Sequence, residues 1–158
     1  MGLDQYLYAK LFTAPKHDLN DGLDLFHHDI NQLVLDACDA RGWAHPHPTA
    51  EVCVKVGYWR KANHIHNWFV ENCQDGNDDC RDTYVSREQL AELRDLCQKV
   101  LENRELAGEL LPTASGFFFG TTDYDEWYWQ DTEDTVALLN KALNEVPDRW
   151  TFYYASSW

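Results

Sequence analysis

Between Val52 and Phe69 the hydrophobic period of the chain changes from two to 3.6 across a single glycine. Val52, Val54 and Val56 alternate with Cys53, Lys55 and Gly57, the pattern of a half-buried strand. From Arg60 to about Asn72, Ala62, His66, Phe69 and Cys73 then recur on one helical face. Gly57 has no Cβ and permits a tight approach of strand and helix. Abrupt junctions of this kind, here and at Asp131, allow one sheet with helices on one face.

The remaining pattern agrees with that architecture. Residues 3 to 12 alternate Leu3, Gln5, Leu7, Ala9 and Leu11 with Asp4, Tyr6, Tyr8, Lys10 and Phe12, a strand with one apolar and one aromatic-polar face. Asp21 reads as the N-cap of a helix through Phe26, Ile30, Leu33, Val34 and Ala37 that Gly42 ends, with His27 and His28 early in it. Two prolines make Trp43 to Thr49, with His45 and His47, an extended loop. Ser86 and Gln89 form a capping box ahead of Leu90, Leu93, Cys97, Val100 and Leu101. Ser115 to Gly120 reads as a short buried strand, and Asp123 to Gln130 as a strand or irregular wall. Asp131 is expected to cap a last helix that Pro147 stops, before a C-terminal strand from Trp150 to Ala155. The expected fold is α+β: residues 1–158 as a single globular domain, a small mainly antiparallel sheet with about four helices packed on it.

Composition narrows the function classes. Thirteen Lys and Arg against 27 Asp and Glu give a net charge of −14, a field that repels phosphate backbones and argues against general nucleic-acid binding. The acids are spread along the chain, as on a solvated surface; the sharper reading of the same charge is mimicry of DNA. Five cysteines, without a C-x-x-C pair or a signal peptide, point to a reducing cytosol, with Cys38 and Cys97 as small buried hydrophobes. No apolar run approaches a membrane span.

Chemistry concentrates in Tyr58 to Phe69, which mixes aromatics, adjacent cations, amides and an H-x-H pair. On a helix His64 and His66 point roughly 200° apart. A shared metal ion is therefore disfavoured, no third ligand follows at a recognisable spacing, and no metal or cofactor is expected. Helical spacing instead gathers Arg60, Lys61, His64, Asn67 and Trp68, with Trp59 beside them, into a patch suited to an anion and a ring. Cations neutralise a phosphate, His64 and Asn67 donate hydrogen bonds, and Trp59 or Trp68 stacks on a base. Asp75 to Asp79 resembles a calcium loop without its register, since the sixth and twelfth places fall on Cys80 and Ser86. The hydroxyls around Ser115 to Gly120 match no P-loop. Asp123, Asp125 and Glu126 among Tyr124, Trp127, Tyr128 and Trp129 suggest an aromatic rim or partner surface.

Met1 to Asp4 with Tyr6-Leu7-Tyr8, the block Tyr58 to Val70, Tyr84-Val85-Ser86, Leu110 to Thr113 with Ser115 to Gly120, Tyr124-Asp125, and the ending Phe152 to Trp158 together carry a resemblance. The chain resembles a widespread group of small uncharacterised proteins encoded by tailed bacteriophages and prophages. Asp18 to Thr49 lies outside that resemblance. Members sometimes carry a phosphoglycerate kinase label, which a chain this short, without a matching nucleotide-binding motif, does not support. The resemblance implies an accessory protein of the host cytoplasm. Combined with the patch, it gives the expectation of a module that binds a small anionic, nucleotide-like ligand and so counters host defence signalling. The alternatives are a small hydrolase using His64 or His66 with Asp123 or Asp125, and an acidic inhibitor of a host protein that binds through its acidic faces and Trp127 to Trp129. Exposed aromatics leave room for a homodimer.

Overall fold

The computed structural model describes residues 2–13, 25–37, 49–116 and 118–158, without the side chains of 25–28. The elements are β1 (Asp4–Thr13), α1 (Leu25–Ala37), β2 (Ala50–Arg60), α2 (Asn63–Cys73), β3 (Thr83–Val85), α3 (Arg87–Glu102), α4 (Ala107–Leu110), α5 (Glu126–Glu145) and β4 (Thr151–Ser157), with a 3-10 turn at Arg104–Leu106. The strands form one antiparallel sheet in the order β2-β1-β4-β3, an α+β arrangement. The chain makes two compact units, Met1–Ala9 with Lys55–Trp158, and Lys10–Val54.

In the larger unit, alternation on β1 buries Gln5, Leu7 and Ala9. β4 buries Phe152 and Tyr154, and β3 pairs with it so that Val85 faces Phe152 and Thr83 faces Tyr154. Phe69 of α2 stacks on Tyr154 with centroids 4.0 Å apart and planes 11° apart. Leu90, Leu93, Cys97 and Val100 of α3 share the core with Leu139 and Ala142 of α5. The Ser86 hydroxyl accepts from Gln89 N at 3.1 Å while Ser86 N donates to Gln89 Oε1 at 2.9 Å, so the capping box forms as read. Gly57 lies within β2 and serves another helix than the one that follows it. A Cβ there would sit 2.9 Å from Leu138 Cδ2 of α5 and 3.0 Å from Leu7 Cβ.

In the smaller unit the Thr13 hydroxyl lies 2.9 Å from both Asn31 Oδ1 and Ala50 O, and Lys10 pairs with Glu51 at 3.6 Å. The expected cap at Asp21, the stop at Gly42, Cys38 and the loop histidines His45 and His47 lie outside the described residues, as do the side chains of His27 and His28.

Three boundaries differ from the sequence reading. The described part of Ser115 to Gly120 is no strand: Phe119 N donates to Gly116 O at 3.2 Å, closing a turn, and the sheet takes Thr83–Val85 instead. The last helix begins at Glu126, because the Asp125 carboxylate, and not that of Asp131, accepts the backbone N–H groups of Trp127 and Tyr128 at 3.0 and 3.1 Å. Finally, β2 runs through Arg60, and α2 starts only at Asn63.

Candidate functional site

The late start of α2 redraws the expected patch. Arg60 ends the strand, and Lys61 takes a left-handed φ of 62°, unusual for a residue with a Cβ, which turns the chain into the helix. Gly120, at φ 89°, packs against this corner, where an added Cβ would lie 3.5 Å from Lys61 Cβ. Lys61 N donates to Leu3 O at 2.8 Å, tying the corner to the sheet. Asn63 then clamps the loop opposite. Its Nδ2 donates to Phe119 O at 3.2 Å and Thr121 O at 2.8 Å, and its Oδ1 accepts from Ala114 N at 3.2 Å.

A cavity of about 530 Å³ opens between this corner, the clamped loop and the first turns of α5. Arg60, Lys61, His64 and Trp59 line it, together with Tyr58 and Asn63 from the same stretch. The loop and α5 contribute Thr121, Asp123, Asp125, Trp127, Tyr128, Asp131 and Asp134. Its volume falls in the range of roughly 300–1,000 Å³ usual for small-molecule sites.

Of the expected ligand residues, Arg60 and Lys61 are exposed at the cavity and free to meet an anion. Trp68 is not a stacking face. It is buried against Phe69, with ring centroids 5.3 Å apart, because almost the whole first half of α2 is enclosed by the fold. Asn67 is half-buried and, like Trp68, is not among the cavity-lining residues. Trp59 reaches the lining but is also core, and its indole N–H is already donated to Thr135 Oγ1 at 2.8 Å. The exposed rings at the cavity are Tyr58, 47% exposed, and Trp127, 75% exposed.

His64 differs most from its expected role. Its Nε2 lies 3.1 Å from Thr132 Oγ1, whose own proton goes to Tyr128 O at 2.7 Å. Thr132 can therefore only accept from the imidazole, and His64 carries its proton on Nε2. Burial pushes its pKa down to about 3, so at neutral pH it is an uncharged ring. Its ring packs against that of Tyr128 with centroids 4.1 Å apart and planes tilted by 35°. Nδ1 is thus an acceptor, and the donor role assigned from sequence is taken by the other nitrogen, toward the protein. Thr132 and Thr135 form a repeated device on α5, each donating to the carbonyl four residues back while accepting from a ring N–H. Two threonines three apart on an otherwise amphipathic helix were the available signal, and the sequence reading passed over them.

The carboxylates are not equivalent. Asp125 is spent on the helix cap, and Asp134 accepts from Gln130 Nε2 at 3.0 Å. Asp131 is half-buried, and its pKa is raised to about 6 by burial first and then by Asp134 and Asp125. The carboxylic acids paired with His64 in the hydrolase reading thus face a histidine too weakly basic to take a proton at neutral pH.

His66 lies elsewhere, buried in a directional chain. Gln5 Nε2 donates to Ala62 O at 3.2 Å, so its Oε1 accepts from the Tyr154 hydroxyl at 3.2 Å. The Tyr154 oxygen then accepts from His66 Nδ1 at 2.7 Å, and His66 Nε2 meets Asp78 Oδ2 at 2.9 Å. Asp78 also accepts from Trp158 Nε1 at 3.0 Å. The acidic turn from Asp75 therefore anchors a buried histidine. Among the described residues no group of three His, Cys, Asp or Glu side chains is placed to hold a metal ion, and no helix is long and apolar enough to cross a membrane.

No protein-family model, no curated protein and no solved structure matches the chain.

Proposed function

We propose that this chain is a phage accessory protein that binds a small nucleotide-like anion in the cavity beside α2 and α5, countering a host signal of that chemistry. The observation that carries the reading is the placing of two unspent cations and two exposed rings around one nucleotide-sized opening. Arg60 offers forked donors to a phosphate and Lys61 a point charge, while Tyr58 and Trp127 offer faces to a base. The resemblance to phage-encoded proteins supports the setting in a host cytoplasm. Binding is expected to be local in origin, because the net charge of −14 gives an anion no long-range attraction.

Calorimetry with nucleoside monophosphates and cyclic dinucleotides tests the reading. Binding weakened about tenfold or more by Arg60→Ala is the expected result, since a charge-assisted hydrogen bond is worth roughly 1.5–3 kcal/mol. Absence of binding to every nucleotide, or affinity indifferent to Arg60→Ala, refutes it. Recovery of intact ligand after long incubation separates binding from hydrolysis. A stoichiometric host protein captured in place of any nucleotide favours the inhibitor reading.

A further inference from the structure

Besides Arg60 and Lys61, the cavity presents acceptors. His64 lines it with Nδ1 carrying a lone pair, and that nitrogen has no hydrogen-bond partner among the described residues. Among the described residues, the buried side-chain polar atoms without a partner are Gln74 Oε1 and Ser156 Oγ, and neither residue lines this cavity. His64 Nδ1 is not one of them, and His64 is a lining residue of the cavity although only 3% exposed. One position before Thr132, Asp131 is the half-buried carboxylate of the lining that neither caps a helix nor accepts from a neighbouring side chain among the described residues. A carboxylate accepts two parallel donors, and a neutral imidazole nitrogen accepts one.

A buried wall of acceptors selects a ligand whose inner edge is made of donors, because an acceptor placed against it is left unpaired and desolvated. Among the common purines, guanine has that edge: its ring N1–H and exocyclic N2 amine stand side by side and point the same way. Adenine sets a ring acceptor beside its amine. Arg60 and Lys61 line the same opening and are the groups suited to the phosphate of such a nucleotide.

We propose that the cavity selects guanine nucleotides, with Asp131 and His64 Nδ1 accepting from the donor edge of the base, a ring of Tyr58 or Trp127 against its face, and Arg60 and Lys61 on its phosphate. This selectivity rests on the nucleotide reading above and adds the identity of the base to it. The distinction from a purely anionic site is experimental. An anion site is indifferent to the base, and a site with four acidic side chains beside its cations penalises a ligand that offers phosphate alone.

The test is calorimetric titration at pH 7.5 with the 5′-monophosphates of guanosine, inosine and adenosine, on the wild type and on Asp131→Asn. Guanosine monophosphate is expected to bind tightest. Inosine monophosphate, which lacks the N2 amine, is expected to lose about tenfold, and adenosine monophosphate at least that much, the cost of unpaired buried donors and acceptors. Asp131→Asn should weaken the guanine nucleotide about tenfold while changing the adenine nucleotide little, flattening the preference. Its thermal melt shows whether the variant is folded, and no described fold contact uses the Asp131 carboxylate. Guanosine and adenosine monophosphates binding within twofold of each other overturn the base selectivity and leave the nucleotide reading standing. The same holds for a guanine preference unchanged in Asp131→Asn. Failure of all three nucleotides to bind overturns the guanine selectivity, and it overturns the nucleotide reading as well when the cyclic dinucleotides also fail to bind.

Discussion

The two titratable groups that meet at the cavity, His64 and Asp131, are expected to pull the pH dependence of folding stability in opposite directions. Burial lowers the His64 pKa from 6.5 to about 3, so between those values the unfolded chain takes up a proton that the folded chain refuses. Stability from this site is fully present above 6.5 and is lost as the pH falls. At ~1.36 kcal/mol per pH unit the loss reaches about 3 kcal/mol by pH 4. Asp131 acts the other way. Its pKa is raised from 3.8 to about 6, so the folded state holds its proton longer, and stability is regained as the pH falls through 6. The gap corresponds to about 3 kcal/mol at face value, reduced to roughly 1–2 kcal/mol for a half-exposed group screened by water. Urea unfolding followed by tryptophan fluorescence at pH 7 and pH 4 measures both, in wild type, His64→Gln and Asp131→Asn. Each variant changes the baseline stability, but the loss between the two pH values isolates titration, since the other carboxylates are common to all three proteins. Relative to wild type, that loss should shrink by about 3 kcal/mol in His64→Gln and grow by roughly 1–2 kcal/mol in Asp131→Asn. A His64→Gln profile parallel to wild type would refute the assignment of His64 as a buried neutral ring.

Two further outcomes follow from packing. Gly57→Ala places a methyl 2.9 Å from Leu138 Cδ2 and 3.0 Å from Leu7 Cβ, which should cost roughly 1–3 kcal/mol in urea unfolding; a variant as stable as wild type would show that α5 can back away from β2. Burial pushes the Cys97 thiol up to about 12, whereas Cys53 is exposed. Mass spectrometry after brief alkylation of the native protein should find Cys53 labelled and Cys97 labelled only in denaturant, and rapid native labelling of Cys97 would contradict its enclosure.

The elements legible in the sequence are those whose residues announce themselves locally. β1 alternates without a break, and α3 carries its own capping box, so each was placed within a residue or two at its start. The misplaced ones depend on partners distant in sequence. Phe118 and Phe119 read as a strand because they are apolar, yet their backbone groups go to Leu3 N and to the amide of Asn63, and a loop held by such bonds needs no sheet. The aromatic density of Glu126 to Gln130 suits a strand, while the competing helix signal is a single Asp, Asp125, six residues before the expected cap at Asp131. Of the residues expected at the site, Trp59, Arg60, Lys61 and His64 line the cavity, and Asn67 and Trp68 do not. Trp68 and Trp59 are the hydrophobic aromatics that α2 and β2 use to join the core, and periodicity cannot tell a buried tryptophan from an exposed one when the surrounding helix is enclosed on nearly every side.

His64 and His66 show how the same enclosure sorts two residues of one type. Both are buried on α2, and the roughly 200° between them sends one toward α5 and the other toward β4. Each meets a hydroxyl whose own proton goes elsewhere, and the difference lies at the second ring nitrogen. Thr132 donates to a carbonyl within its own helix, so the demand on His64 ends after one bond and its second nitrogen is left to the cavity. Tyr154 donates onward to Gln5, so His66 must supply a proton to Tyr154 with Nδ1, and its Nε2 is then bound up with Asp78. Both nitrogens of His66 are consumed in joining α2 to the sheet and to the acidic turn, which makes it structural. His64 keeps one acceptor without a partner among the described residues, and that surplus hydrogen-bonding capacity, rather than the charge of a histidine, is what sets it apart from His66 in this helix.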